Sequence, residues 1–542
     1  MNDDIDITEE PTDKPTDKKT VPSLLRNYIS FIGLAIAVAS FTSIVLLMLI
    51  SFSESTDNPY TDLITFIFVP SILGFGIFVT LVGVLWERRR RRNKSADEIA
   101  AYPILDLNDP RRRRSLLVFV SVGFVFLSMT AFGSYRAFEY TESVTFCGQA
   151  CHDVMKPEFV AHQASAHARI RCVECHVGGG ADAYVKAKFN GMNQLKGVIT
   201  GHFNRPIGTP VANMRSADAT CQKCHWSEKF HGDKIKIFNH YGYGEKSDLN
   251  QTRLLVKVGG GDPNGGPVGG IHWHMNVNNE VTFISGDERR QTIPYIRMKD
   301  LNGNVVEYKA RDSALTADEI AAAPKRKMDC IDCHNRPAHV YLSPNQAVDR
   351  SLEAGKLDLE LPFVKARSVE VLAKPYLTNE EAVAAIAADF TAFYQTTYPE
   401  IYKTKTGSVD AAVVELQRIY QIYFFPEMKT DWKASPNNIG HLNAQGCFRC
   451  HDGQHFSSDG KVIRNECSVC HTTIDQTFGG KTYTPADGKF SHPVKLGDRN
   501  TFQCASCHQG DKTFVHPVNL GDISQFACAE CHKGPKSTTM NF

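Results

Sequence analysis

Seven segments of this 542-residue chain read C-x-x-C-H: Cys172–His176, Cys221–His225, Cys330–His334, Cys447–His451, Cys467–His471, Cys504–His508 and Cys528–His532. An eighth, Cys147-Gly-Gln-Ala-Cys151-His152, carries one extra residue between its thiols. Together they use all 16 cysteines: Cys147, Cys151, Cys172, Cys175, Cys221, Cys224, Cys330, Cys333, Cys447, Cys450, Cys467, Cys470, Cys504, Cys507, Cys528 and Cys531. Close pairs, each followed by His, are a poor pattern for a disulfide framework. A zinc ribbon or a redox C-x-x-C pair does not require His directly after the second Cys in every copy. Covalent haem attachment does, because two thiols form thioethers to the porphyrin vinyls and the adjacent imidazole ligates iron from one face. The chemistry expected is one-electron transfer through eight c-type haems, seven on regular motifs and one on the irregular first. The motif ligands are then His152, His176, His225, His334, His451, His471, His508 and His532.

Each haem with two histidine ligands needs a second imidazole, and twelve His lie outside the motifs. His492 and His516 stand in a repeat, His-Pro-Val-x-Leu-Gly-Asp-x3-Phe-x-Cys, running into Cys504 and Cys528. His455 precedes Cys467 by the same 12-residue offset. The last third thus reads as a haem array in which each unit brings a motif and a displaced His. Whether that His serves its own haem or a neighbour's is not set by spacing. His339, in C-H-N-R-P-A-H, and His441, just before Cys447, are further candidates, as is His167. His272 and His274 alternate in Gly-Ile-His-Trp-His, which on a strand places both on one face; at least one is a ligand candidate.

The haem-bearing part must be held to something. Three apolar runs, Tyr28–Phe52, Leu63–Trp86 and Leu116–Ser134, are each long enough to cross a bilayer. Arg88–Arg92 and Arg111–Arg114 crowd the second connection, whereas Ser53–Tyr60 has no Lys or Arg. The positive-inside rule puts the arginine loop and N-terminus in the cytoplasm, and everything after Ser134 outside. This matches where c-type haem is attached, the outer side of the bacterial inner membrane. A nucleic-acid function is disfavoured: 60 Lys+Arg against 59 Asp+Glu leave +1, and the arginines flank apolar spans.

The expected fold class is a membrane-anchored multihaem cytochrome, with three transmembrane helices and then a haem-dominated domain of short helices and loops with a small β insertion. Its parts are a disordered cytoplasmic tail (1–27), the anchor (28–139), a four-haem region (140–340) with a β insertion at 245–312, a helical segment (341–440) and a C-terminal four-haem array (441–542). Ile293–Lys299, Leu301-Asn-Gly-Asn and Val305–Ala310 predict a hairpin. Thr378-Asn-Glu-Glu opens a helix with cap-like residues, and Asp410–Tyr423 has helical apolar spacing.

Residues 142–230 resemble the NapC/NirT/NrfH family of membrane-anchored multihaem quinol dehydrogenases. The matching residues are Phe146-Cys-x3-Cys-His-x2-Met-Lys-Pro, Ser165-Ala-His, Arg171-Cys-Val-Glu-Cys-His-Val-Gly, Tyr184-Val-Lys-Ala-Lys and Thr220-Cys-x2-Cys-His-Trp. The resemblance implies that Cys330–His339 corresponds to the family's fourth haem after an insertion. The extra haems resemble the longer inner-membrane cytochromes of metal-reducing bacteria. The resemblance implies menaquinol oxidation at the first haem and electron export to a periplasmic c-type cytochrome or other acceptor. It implies Met155 as an iron ligand there; Met155 lies three positions after His152 rather than two, so either residue fills the role. It also implies a quinol-site lysine, matched by Lys186 or Lys188. Its carboxylate has no counterpart, since no Asp or Glu occurs between Asp182 and Asp218. Two further readings stand beside a menaquinol:cytochrome c oxidoreductase. One is a terminal reductase of nitrite, hydroxylamine or sulfur oxyanions, the other a passive electron wire.

Overall fold

The computed structural model describes residues 24–25, 27–53 and 68–92, scattered positions over 108–136, and most of 138–485, with short gaps at 150–151, 178–180, 212–213, 215, 227–231, 260–268, 276–278 and 301. The chain divides into two units, Met1–Ala137 with Gly179–Phe189, and Phe138–Gly178 with Asn190–Phe542. In the first unit, helices α1 (Tyr28–Ser53) and α2 (Val69–Arg91) carry stretches of mean hydropathy 2.0 and 2.1, long and apolar enough to cross a membrane. They present Phe31, Phe41, Phe75 and Leu85 outward, as lipid-facing spans do. Between them the backbones approach closely. A Cβ on Gly33 would fall 2.4 Å from Thr80 N, and one on Gly83 2.5 Å from Ser30 N. Ser30 Oγ donates to Thr80 O (3.2 Å) and Asn27 Nδ2 to Gly83 O (3.3 Å). Small residues and polar contacts of this kind hold helices together where no hydrophobic gradient exists. Two membrane helices are thus described, not the three expected; the third run, Leu116–Ser134, and the start of the second lie mostly outside the described residues.

Near its start the second unit carries a short helix, Val144–Gln149, and then α3 (His152–Gln163), and α4 (Ala181–Thr200) ends within it. Two antiparallel sheets follow. One has the order β1 (Lys234–Tyr241), β2 (Leu249–Val256), β8 (His471–Phe478), β9 (Lys481–Tyr483); the other is β6 (Arg326–Lys327), β3 (Glu280–Ile284), β4 (Tyr295–Lys299), β5 (Val305–Ala310), β7 (His455–Ser457). The expected hairpin is β4–β5, with Tyr295 opposite Lys309 and Lys299 opposite Val305. Asp300 Oδ1 accepts from Asn302 N and Asn304 N, and Gly303 takes φ +82°, which fixes the turn. The strands do not form a self-contained insertion. They start at Lys234 and pair with segments from beyond residue 454, stitching the fifth and sixth motifs to the middle of the chain.

Helices α5 (Pro344–Glu353), α6 (Val364–Ala373), α7 (Asn379–Thr397) and α8 (Thr406–Tyr423) form the largest apolar core, around Val348, Leu361, Val371, Ile386, Phe390, Val409 and Leu416, all fully buried. Helix α7 starts where its sequence predicts, Glu381 N donating to Thr378 Oγ1 at 3.1 Å. This segment buries its own side chains. A buried ionic cluster joins it to β1. The ammonium of Lys365, with no exposed surface, reaches Asp349 Oδ1 at 2.6 Å, and Asp349 Oδ2 receives His240 Nδ1 at 2.9 Å. Burial opposes ionisation of Asp349, but His240 and Lys365 outweigh it and hold the carboxyl below its usual range. Asp349→Asn removes the carboxylate from a buried lysine and is expected to cost about 3–5 kcal/mol. With the folded pKa depressed, the wild-type advantage holds above the ordinary carboxylate range and fades as pH falls through it. Urea unfolding of both proteins at neutral and acidic pH, followed by circular dichroism, checks both the loss and its pH window.

Candidate haem-ligand sites

Each described regular motif closes a single turn. His225 N donates to Cys221 O at 2.8 Å, His334 N to Cys330 O at 2.8 Å, and His451 N to Cys447 O at 3.0 Å. Cys172–His176 is itself one helical turn, and Cys467–Val469 a short 3-10 turn. A turn gathers two thiols and an imidazole on one side, the arrangement a tethered porphyrin needs. All eleven described cysteines are free of disulfides. Among the described residues no group of three or more His, Cys, Asp or Glu converges as a tetrahedral metal site would require.

Imidazoles meet in pairs instead. Ring centroids lie 6.2 Å apart for His176 and His339, 6.1 Å for His225 and His167, and 6.4 Å for His334 and His272. For His451 and His274 the separation is 5.7 Å, and for His471 and His441 it is 6.4 Å. Two imidazoles on opposite faces of one iron, each at a metal–nitrogen bond of about 2 Å, place their centroids about 6 Å apart. Every motif histidine whose side chain is described has a partner at that spacing, so the donor sets fit c-type haem with two axial imidazoles.

The outward nitrogens fit as well. His167 Nδ1 meets Pro337 O at 3.1 Å, His339 Nδ1 meets Glu158 O at 3.0 Å, His274 Nδ1 meets Ile271 O at 2.8 Å, and His451 Nδ1 meets Arg464 O at 2.6 Å. Donation from Nδ1 fixes the tautomer that leaves the Nε2 lone pair for a metal. Desolvation lowers the pKa of His272, His274, His339 and His471, favouring the neutral ring that ligation requires. Glu158 adds a carboxylate contact, Oε2 to His339 Nδ1 at 3.1 Å, and also holds Arg336.

Two expectations change. His272 and His274 do not sit on a strand: Ile271–Met275 is a 3-10 turn, whose three residues per turn send alternate side chains apart. One therefore faces the fourth motif and the other the fifth. His455 opens β7 and is engaged at both nitrogens, Nδ1 with Asp452 Oδ1 at 2.9 Å and Nε2 with Ile293 O at 2.7 Å. Burial would lower its pKa, but Asp452 and the carbonyl of Ile293 raise it, so both ring nitrogens face oxygen acceptors rather than a second motif imidazole. His162 also stands 6.2 Å from His339, but Ile170 O and Gln163 occupy its nitrogens.

Successive motifs are neighbours in space. A hydrogen bond with Cys147 lowers the Cys172 pKa. Burial and then the charge of Cys221 raise that of Cys175, and the same two causes raise Cys330. Cys333 and Cys470, pushed up first by burial, both feel Cys447. Sequence reasoning missed the clamp at the fourth and fifth motifs. Asp332, buried between Cys330 and Cys333, receives Arg326 Nε at 2.8 Å and Arg290 Nη1 at 3.1 Å. Arg449, between Cys447 and Cys450, donates to Asp332 O at 2.7 Å and Arg290 O at 2.8 Å.

Several site candidates lie outside the described residues: Cys151, His492, His516, and the motifs Cys504–His508 and Cys528–His532. The side chains of His152, Lys186 and Lys188 do too, although His152 opens α3 and both lysines lie on α4. Met155 is half-buried on α3.

Residues 109–238 match the NapC/NirT cytochrome c family, N-terminal region, and residues 440–533 match cytochrome c3. The chain is 41% identical to the cytochrome c-type protein ImcH of Geobacter sulfurreducens over 485 residues, which cover 89% of this chain and 95% of that protein. No solved structure matches.

The ring pairs generate a direct test. In electron paramagnetic resonance of the oxidised protein, His274→Ala is expected to convert one low-spin haem to high spin. His455→Ala is expected to leave the low-spin count unchanged; loss of a low-spin haem there would reinstate His455 as a ligand.

Proposed function

The chain belongs to the multihaem c-type cytochromes that include ImcH, membrane-anchored electron-transfer proteins with a NapC/NirT region, and on that premise we propose that it is a menaquinol:cytochrome c oxidoreductase. It takes electrons from menaquinol, passes them through eight haems and delivers them to a periplasmic cytochrome or other acceptor, in anaerobic or metal-reducing respiration. Its N-terminus is cytoplasmic and its haem-bearing part lies on the periplasmic side of the inner membrane, as the arginine-rich loop directs.

The observation that carries this reading is the pairing of every described motif imidazole with a second one. Two histidines per iron would leave no open position for a substrate oxygen or nitrogen, which favours transfer over terminal reduction. When bound, haem supplies one-electron redox chemistry. The protein's contribution would be to hold it: the thiols would tether it, and His339, His167, His272, His274 and His441 would serve as the second imidazoles at motifs two to six. His492 and His516 serve the last two haems. Glu158 orients His339, and Arg449 fixes the spacing of the fourth and fifth motifs, on which tunnelling between them depends. At the first motif either His152 or Met155 is the ligand. Lys186 or Lys188 hydrogen-bonds the quinol head group.

Mixing the purified full-length protein with a menaquinol analogue and following haem absorbance by stopped flow tests the proposal. Haem reduction is expected, slowed about tenfold in the double variant Lys186→Ala, Lys188→Ala, the worth of one hydrogen bond of about 1.4 kcal/mol. Haems that dithionite reduces but quinol does not would leave a partner-fed wire. A high-spin signal that shifts with nitrite or hydroxylamine would point to the reductase.

A further inference from the structure

Helix α4 presents an apolar stripe that nothing in the described chain covers. Phe189, Met192, Leu195 and Ile199 are 60%, 59%, 50% and 76% exposed. At 3.6 residues per turn, these positions fall within about a third of the helix circumference. Val198 leaves that sector and packs with Phe203 and Ile207 against the cluster of Val154, Ala161, Tyr341, Phe425 and Met428. The helix is therefore seated on the protein by one side and bare on another. Four large apolar side chains in one exposed row mark a surface built for a non-aqueous partner.

Charge identifies the partner. From residue 183 to residue 217 the chain has Lys186, Lys188, Lys196, Arg205 and Arg215 and no Asp or Glu at all. In a chain whose acids and bases balance to +1, this stretch stands out by its one-sided charge. Lys196 lies within the apolar sector and is itself exposed, where a long aliphatic stem can lie along lipid while its ammonium reaches phosphate. The first residues of the same helix, up to Phe189, group with the membrane spans. We propose that the Phe189–Ile199 face of α4 lies in the outer interfacial layer of the bilayer, its apolar row among the acyl chains and Lys196, with the basic residues that flank the face in sequence, on anionic lipid phosphates. It rests on membrane anchoring and stands or falls independently of quinol oxidation.

A photoreactive benzophenone amino acid placed at Met192, and separately at Ile199, in the full-length holoprotein tests this. A third protein carries it at Val414, which is 65% exposed on α8. All three are reconstituted into vesicles of phosphatidylcholine with or without phosphatidylglycerol, and haem absorbance confirms that each is intact. Lipid adducts are expected at Met192 and Ile199 and absent at Val414, with several-fold more adduct when phosphatidylglycerol is present. Adducts to a second copy of the chain, to porphyrin or only to water would overturn the proposal. Equal yields in neutral and anionic vesicles would overturn its electrostatic half. Lipid adducts with no haem reduction by quinol would leave this inference standing and remove the quinol reading.

Discussion

An iron in a porphyrin has two axial faces, and an attachment motif can serve only one. Its thiols and imidazole come from a single turn of backbone, so the opposite imidazole must arrive from another part of the chain. That constraint organises the haem-bearing unit. His339 follows the fourth motif yet stands opposite His176 of the second, and His167 lies before the second yet stands opposite His225 of the third. His272 and His274, two residues apart, face motifs more than a hundred residues apart in sequence. Each pairing closes a long loop, and together they leave the chain few other ways to fold around its cofactors.

The remaining architecture makes these closures hold. The two sheets tie the segment bearing His272 and His274 to the strands that begin at His455 and His471. Asp332 and Arg449, each set between the cysteines of its own motif, lock the fourth and fifth motifs through charge-assisted contacts rather than apolar packing. The four-helix segment supplies the largest apolar core among the described residues, and its Lys365–Asp349–His240 cluster joins it to β1. Electron transfer needs fixed separations, and this combination of closures, clamps and apolar packing holds the described motifs in place.

Local features were legible in the residues. The attachment motifs follow from chemistry confined to five positions. The β4–β5 hairpin follows from alternation and an Asn-Gly turn, and the start of α7 from the Thr378 cap. His455 shows what such reasoning leaves open. Its offset from Cys467 equals those of His492 and His516 from their motifs, but an offset says nothing about which ring nitrogens remain free. Asp452, three residues away, and the carbonyl of Ile293, far away in sequence, occupy both. The alternation of His272 and His274 likewise suggested a strand, and a 3-10 turn separates them instead.

By itself the sequence determined the cofactor type and the family, because thioether attachment and one axial imidazole are encoded within a single turn. It also determined that apolar spans flank an arginine-rich loop. Only the tertiary structure decided which distant imidazole faces which motif, that successive motifs are neighbours, and that buried Asp332 meets three arginines. These depend on contacts between residues far apart in the chain, whose distances and free nitrogens are set by folding and not by spacing.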